Sequence, residues 1–244
     1  MSNQVIITGA NGGIGSALCQ VYHKNGFDVV AVDLQPKIGH DFGHLYLQID
    51  SDMYAASKPY RSGINQKLKL LNPSILLNNA AVQLLGNFDE FEDESWVTTM
   101  NVNFQSCYFF IQACHDSLSS NNGQVINIGS IHADQTKPRF FAYATSKAAL
   151  IGLTKSLAVE FKGKITVNAV SPAAIGTDML KAGFKDNVKA LDRLASVHPS
   201  QEIGKPDLLA SFIMSLTNAN NRFLNGTNIS YDGGIGNALL DLDY

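Results

Sequence analysis

The chain has 244 residues, of which 45% are hydrophobic, 16% charged and 9% aromatic, with 20 glycines and 7 prolines. That is ample apolar material for one sizeable core, and it excludes a disordered, collagen-like or coiled-coil protein. A formal net charge of −3 and a pI near 6.0 recommend neither nucleic acid nor an anionic membrane surface as the main partner, which leaves a small molecule.

Short apolar runs alternate with helix-length segments from one end to the other. Strands are expected at 4–8, 28–33, 45–49, 74–78, 124–129, 165–171 and 228–231. Several are apolar at consecutive positions (Val5-Ile6-Ile7, Val29-Val30-Ala31-Val32, Ile75-Leu76-Leu77), as expected when helices cover both faces of a sheet. Helical periodicity covers about 14–25, 90–119, 143–162 and 206–218, with weaker signal near 62–71 and 177–196. Pro59 and Gly63 shorten or break any helix within 51–72. The alternation predicts an α/β chain: a single-domain doubly wound (Rossmann) sheet of about seven parallel strands spanning 1–244. Residues 177–205 form the most polar and irregular stretch and are the expected substrate lid.

Cys19, Cys107 and Cys114 form no C-x-x-C or Cys/His cluster. Neither a disulfide framework nor a metal site is expected, and a reducing, cytoplasmic setting fits. No run of 18 apolar residues occurs, so no membrane span is expected.

After the first strand comes Thr8-Gly9-Ala10-Asn11-Gly12-Gly13-Ile14-Gly15, then the apolar-periodic residues Ala17, Leu18, Val21 and Tyr22. Glycines at 9, 13 and 15 permit a tight strand-to-helix turn, let backbone N–H groups approach a pyrophosphate, and place its charge at a helix N-terminus. Gly9, Asn11, Gly13, Ile14 and Gly15 are therefore expected cofactor contacts. The second strand ends at Asp33, 18 residues after Gly15, where a carboxylate can accept from the adenosine ribose hydroxyls and would repel a 2′-phosphate. Leu34, Gln35 and Pro36 offer no cation, and Lys37 is a weak candidate, so NAD is favoured over NADP. Asp50, after the third strand, is placed near the adenine. Asn79, Ala80 and Ala81, after the fourth, are placed under the cofactor.

Tyr143 and Lys147 are four residues apart at the start of the most strongly helical region, so phenol and ammonium share a helix face. Such a pair is weak evidence alone. Its context is Ser130 directly after the fifth strand, Asn103 within the long helix pattern, and the loop 172–177 after the sixth strand, where Pro172, Ile175 and Thr177 can fix a carboxamide.

These motifs together resemble the short-chain dehydrogenase/reductase family over essentially the whole chain: T-G-x-x-x-G-x-G at 8–15, N-N-A at 78–80, Asn103, Ser130, Y-x-x-x-K at 143–147, the loop at Pro172, and Asp232-Gly233-Gly234. The resemblance implies an NAD(P)-dependent oxidoreductase interconverting an alcohol and a carbonyl, with Asn103, Ser130, Tyr143 and Lys147 as a catalytic tetrad and Tyr143 and Lys147 also touching the cofactor. A phenol titrating near 10 is a poor base, and lowering it to about 7 takes roughly 4 kcal/mol of phenolate stabilisation. Lys147 and an oxidised nicotinamide would provide it, Ser130 would hold the substrate oxygen, and Asn103 would hold a water linking Lys147 to solvent. The chain departs from the usual pattern at Ala81 and Ala173, where the family commonly has glycine, which bears on loop geometry.

Two other readings stand beside this one: a catalytically idle dinucleotide sensor or scaffold, and an NADPH-dependent carbonyl reductase. His132, Lys137 and Arg139 either line the substrate pocket or are solvated. His23, His40, His44, His115 and His198 are expected at the surface or in satisfied structural roles. Phe104, Tyr108, Phe109 and Ile111 form an apolar stripe, with Cys107 and Cys114 packing on the same helix, and suggest a homo-oligomer, dimer or tetramer.

Overall fold

In β1 (Gln4–Thr8) Val5 and Ile7 enter one hydrophobic cluster while Ile6 enters another, because successive side chains of a strand point to opposite faces. The same split recurs in β2 (Asp28–Asp33), with Val29 and Ala31 against Val30 and Val32, and in β4 (Pro73–Asn78), with Ile75 and Leu77 against Leu76. With β3 (Leu45–Gln48), β5 (Gln124–Ile128), β6 (Thr166–Pro172) and β7 (Asn228–Tyr231) they form one parallel sheet of order β3-β2-β1-β4-β5-β6-β7. Every strand lies within one residue of its expected bounds.

This computed structural model describes residues 2–36, 45–184, 187–219 and 221–239. Lys37, His40 and His44 lie outside the described residues, as do residues 185–186 of the expected lid.

Helices α1 (Gly13–Lys24) and α9 (Pro206–Asn218) cover one face through Leu18, Tyr22, Leu209 and Ile213. The buried Tyr22 hydroxyl lies 2.6 Å from Thr217 Oγ1, so the one polar atom of that contact is satisfied. The other face carries α2 (Ser51–Ala56), α3 (Lys58–Leu68), α5 (Ser106–Ser120) and α6 (Phe141–Glu160), which contribute Tyr54, Leu68, Phe110 and Ala158. Among the described residues the three cysteines are free and buried, and no helix is long and apolar enough to cross a membrane.

Three helical expectations change in detail. The 51–72 segment holds two helices divided at Ser57, whose backbone is extended and whose hydroxyl accepts from Tyr60 N. Pro59 sits in the first turn of α3, where its missing N–H costs nothing, and Gly63 lies inside that helix. The long 90–119 pattern divides into α4 (Asp93–Met100), a π-helical turn Asn101–Gln105, and α5. The 177–196 stretch divides into α7 (Asp178–Gly183) and α8 (Val188–Ser196).

From β1 the chain builds outward to β2 and β3 and then returns beside β1 with β4. Ligands of such sheets bind outside the carboxyl ends of the strands at that reversal. The glycine turn leaves β1 there, the Asn79 loop leaves β4, Ser130 follows β5, and the proline loop ends β6.

Candidate active site

The glycine turn is closed by the chain's own atoms. Gly9 has φ +68° and a Cβ there would lie 2.8 Å from Ala80 Cα, so both its conformation and its surroundings require glycine. A Cβ on Gly15 would lie 1.9 Å from the Gly9 carbonyl oxygen, and one on Gly13 would lie 2.9 Å from Thr177 Cγ2. Helix α1 begins without a side-chain cap and without an acidic residue in its first turn, so its leading N–H groups are left for an anion.

Asp33 faces this turn. One carboxylate oxygen accepts from Asn11 N at 2.9 Å and the other from Gln35 N at 3.0 Å. The Asn11 side chain donates to Pro36 O at 3.2 Å and to the Tyr46 hydroxyl at 3.0 Å, tying the turn to the end of β2. An uncapped helix start, a cradle that any Cβ would fill and a pinned acidic strand end fit the pyrophosphate and adenosine ribose of a dinucleotide. Asp50 has a role that sequence reasoning did not assign. Its Oδ1 accepts from Asp52 N at 2.9 Å and Met53 N at 3.1 Å, capping α2.

The loop after β4 is locked to the glycine turn. Thr8 Oγ1 accepts from Asn79 N at 2.9 Å and Ala80 N at 3.0 Å, and Asn79 Nδ2 donates to Thr8 O at 2.9 Å and Gly9 O at 3.1 Å. The proline loop is held by a second segment: Gly204 N donates to Ala174 O and Gly176 N to Gly204 O, each at 2.9 Å. Ile175 is buried beneath it, and Thr177 Oγ1 accepts from Leu180 N at 3.4 Å as the cap of α7. Neither Ala81 nor Ala173 has a positive φ, so alanine adopts the backbone of both loops without strain.

The four expected catalytic residues come together beside these loops. Tyr143 and Lys147 occupy successive turns of α6, and the Lys147 Nζ lies 5.7 Å from the centre of the Tyr143 ring. That ammonium is 2% exposed and donates to Ile128 O at 2.8 Å. Burial pushes Lys147 down to about 8, opposed by the nearby Cys107 sulfur, and burial pushes the Tyr143 phenol up, opposed by a hydrogen bond with Ser130. Both shifts favour neutral forms, because removing water penalises charge. Ser130 Oγ also accepts from His132 N at 3.2 Å.

Asn103 sits in the π-helical turn and braces two elements. Its Oδ1 accepts from Val82 N at 2.8 Å, and its Nδ2 donates to Val82 O at 2.9 Å and to Ser146 Oγ at 3.0 Å. Ser146 Oγ donates in turn to Tyr143 O at 2.7 Å. Asn103 thus fixes the loop after β4 against the helix that carries Tyr143 and Lys147. This bracing role was missed by sequence reasoning, since pairing with the main chain of Val82 leaves no mark in residue spacing.

Two aromatic rings pack against Tyr143. His132 packs on Phe140 with ring centres 4.5 Å apart, and those rings lie 6.0 Å and 6.4 Å from that of Tyr143. Phe141 touches Phe88, Phe91 and Trp96. Arg139 has φ +73° and its carbonyl accepts from Gly86 N at 3.4 Å, joining the two loops of this mouth. A cavity of about 320 Å³ beside the proline loop is lined by Ala173, Ala174, His198, Lys205, Tyr231 and Asp232, among others, and by none of the four expected catalytic residues. His198 is buried there, with Nδ1 donating to Leu194 O at 2.7 Å and Nε2 unpartnered. It is structural, as one expectation had it, but only half satisfied.

The family profile described as "Enoyl-(Acyl carrier protein) reductase" matches residues 9–236. The chain is 30% identical to the "Acetoacetyl-CoA reductase" of Cupriavidus necator, with 94% of this chain and 96% of that protein covered. The protein belongs to the short-chain dehydrogenase/reductase family. Its chain superposes on that of the ligand-free Thermoplasma acidophilum aldohexose dehydrogenase with a TM-score of 0.90 at 26% identity, covering 98% of this chain and 96% of that one. A 4-hydroxyisoleucine dehydrogenase complexed with NADH gives 0.87 at 28%, covering 97% and 99%. Solved structures of this similarity hold NADH in one case and NADP, in ElxO, in another. As a member of the family the chain is an oxidoreductase of the NAD(P)-dependent kind.

Proposed function

We propose that this short-chain dehydrogenase/reductase is an NAD-dependent enzyme that interconverts an alcohol and a carbonyl on a small polar substrate, with Tyr143 as general acid and base. The observation that carries the reading is the buried Ser130, Tyr143 and Lys147 group at the same strand-end edge of the sheet as the glycine turn. A binding module has no use for it. The dinucleotide supplies the hydride acceptor or donor when bound. Gly9, Asn11, Gly13, Ile14, Gly15 and Asp33 would hold its pyrophosphate and adenosine ribose, with Asp50 by the adenine. Asn79, Ala80, Ala81, Pro172, Ile175 and Thr177 would hold the nicotinamide end with Lys147.

In alcohol oxidation the Tyr143 oxygen takes the proton of the substrate hydroxyl, and in carbonyl reduction it returns that proton. The Ser130 hydroxyl donates to the same substrate oxygen and steadies its developing charge. The Lys147 ammonium, one helical turn away, stabilises the phenolate through space. Asn103 holds the Val82 loop and Ser146 in register and, in this reading, a water that passes protons from Lys147 to solvent.

Asp33 supports NAD over NADP, since a 2′-phosphate would meet a carboxylate already pinned at the turn. The segment 177–205 is the lid in this reading, supported by two short helices, α7 and α8, between the proline loop and α9. A homo-oligomer belongs to the same proposal, supported by exposed Tyr108, Val159 and Leu208 on α5, α6 and α9, as does a cytoplasmic setting, supported by the three free cysteines.

The test is calorimetric titration with NAD, NADH, NADP and NADPH, followed by an alcohol panel read by NADH absorbance. Preference for NAD and NADH with turnover of an alcohol is expected. Preference for the phosphorylated pair would move the protein to the NADPH-dependent reading, and dinucleotide binding with no turnover of alcohols or carbonyls would move it to the sensor.

A further inference from the structure

The aromatic group beside Tyr143 carries a second cation, and its surroundings are unusual for a surface lysine. The Lys137 ammonium sits 4.4 Å over the centre of the Phe140 ring. Phe140 packs on His132 and edges the Tyr143 ring, so the ring that carries the ammonium also touches the expected catalytic tyrosine. Among the described residues no carboxylate lies within ion-pair reach of Lys137. The side chain stays open to solvent. Its neighbours nevertheless exclude enough water to pull its pKa below the usual lysine range.

We propose that Lys137, seated on Phe140 beside His132, is the specificity-determining cation that receives a carboxylate on the substrate, with the reacting carbon a few bonds away at Tyr143. This rests on the oxidoreductase reading of the same site and names its substrate class as short hydroxy acids or oxo acids.

Three features favour a carboxylate. A lone ammonium is a compact point charge, matched by a monoanion, whereas a dianionic phosphate is commonly taken by guanidinium forks or several donors. The aromatic floor of Phe140 and His132 suits the short alkyl chain between carboxylate and carbinol. Burial, and then the Lys137 charge, lower the His132 pKa, opposed by the bond of its Nδ1 to Gln135 O at 3.2 Å. Lys137 and Arg139 are the two basic side chains of this rim besides His132. Arg139 is exposed, with no side-chain partner among the described residues, and its ordered contribution is its carbonyl, on Gly86 N.

The test titrates NADH-saturated protein with propanoate, butanoate, pentanoate and hexanoate, and with the matching primary amides, using NADH fluorescence and calorimetry. The acids should bind about tenfold more tightly than the amides, as for the loss of one charge-assisted hydrogen bond. Lys137→Met should abolish that preference and leave amide binding unchanged, while Arg139→Gln should keep it. Equal binding of acids and amides, no measurable binding of either, or a preference that survives Lys137→Met or disappears in Arg139→Gln would overturn the inference. Inorganic phosphate displacing the acids at lower concentration than they themselves require would overturn the choice of carboxylate. If NADH itself fails to bind, the oxidoreductase reading falls and takes the inference with it. NADH binding without an acid preference sinks the inference alone.

Discussion

The rim of the sheet has two halves built by different rules. On the dinucleotide side, around β1 and β4, main chain packs on main chain: Gly15 against the Gly9 carbonyl, Gly9 against Ala80, Thr8 and Asn79 bonded across the gap. There is no room for a methyl group. On the substrate side, around 82–92 and 131–141, side chains define the surface: His132 on Phe140, Phe88 and Trp96 on Phe141, Lys137 over a ring. In the proposed reading the first half fixes the place of the dinucleotide through its main chain, and the second distinguishes substrates through its side chains.

The contrast is broken most sharply by Gly15→Ala. With 1.9 Å available to the new methyl, the turn must open, and dinucleotide affinity is expected to fall by about two orders of magnitude or more, corresponding to the loss of roughly 3 kcal/mol of phosphate contacts. Calorimetry with NADH measures this, and a thermal melt separates lost binding from lost folding.

Lys147→Met comes next, with kcat expected to fall about a hundredfold, within the range for a group that assists proton transfer. It also has a signature without substrate. The folded pKa of Lys147 lies near 8 and the unfolded value near 10.5. Between those values the unfolded chain binds the extra proton, so stability rises with pH across that window and is lost again as pH falls through 8. Melting the ligand-free wild type and Lys147→Met side by side from pH 7 to 10 should show this rise in the difference between the two, where the opposing contribution of the buried thiols and phenols cancels.

Asp33→Ala is the smallest of the three. Removing the carboxylate should narrow the preference for NAD over NADP by about tenfold, one charge-assisted hydrogen bond's worth, read as the ratio of the two affinities. An unchanged ratio would detach Asp33 from cofactor choice.

The same contrast explains what was legible. The seven strands were readable because both faces of the sheet are covered and their apolar runs are continuous. The glycine turn was readable because glycine is the one residue that its backbone admits. Asn103 was readable as a position but not as a brace, because its partners are the main chain of Val82 and the hydroxyl of Ser146. The π-helical turn around it is invisible to a 3.6-residue periodicity that continues on both sides. The split at Ser57 was hidden because Pro59 breaks a helix in mid-run yet suits a first turn. Asp50 reads as a free strand-end acid until its cap on Asp52 N and Met53 N is seen. On the substrate side, Lys137 and Arg139 look alike in sequence, and only the ring beneath one of them separates the two.

Tyr143→Phe tests most directly whether Tyr143 moves the proton, measured as turnover of a substrate from the alcohol panel at saturating NAD, with NADH affinity determined alongside. Retained NADH binding with kcat lower by about two to four orders of magnitude is the predicted result. Unchanged turnover with unchanged NADH binding would contradict the account and remove the phenol from the chemistry.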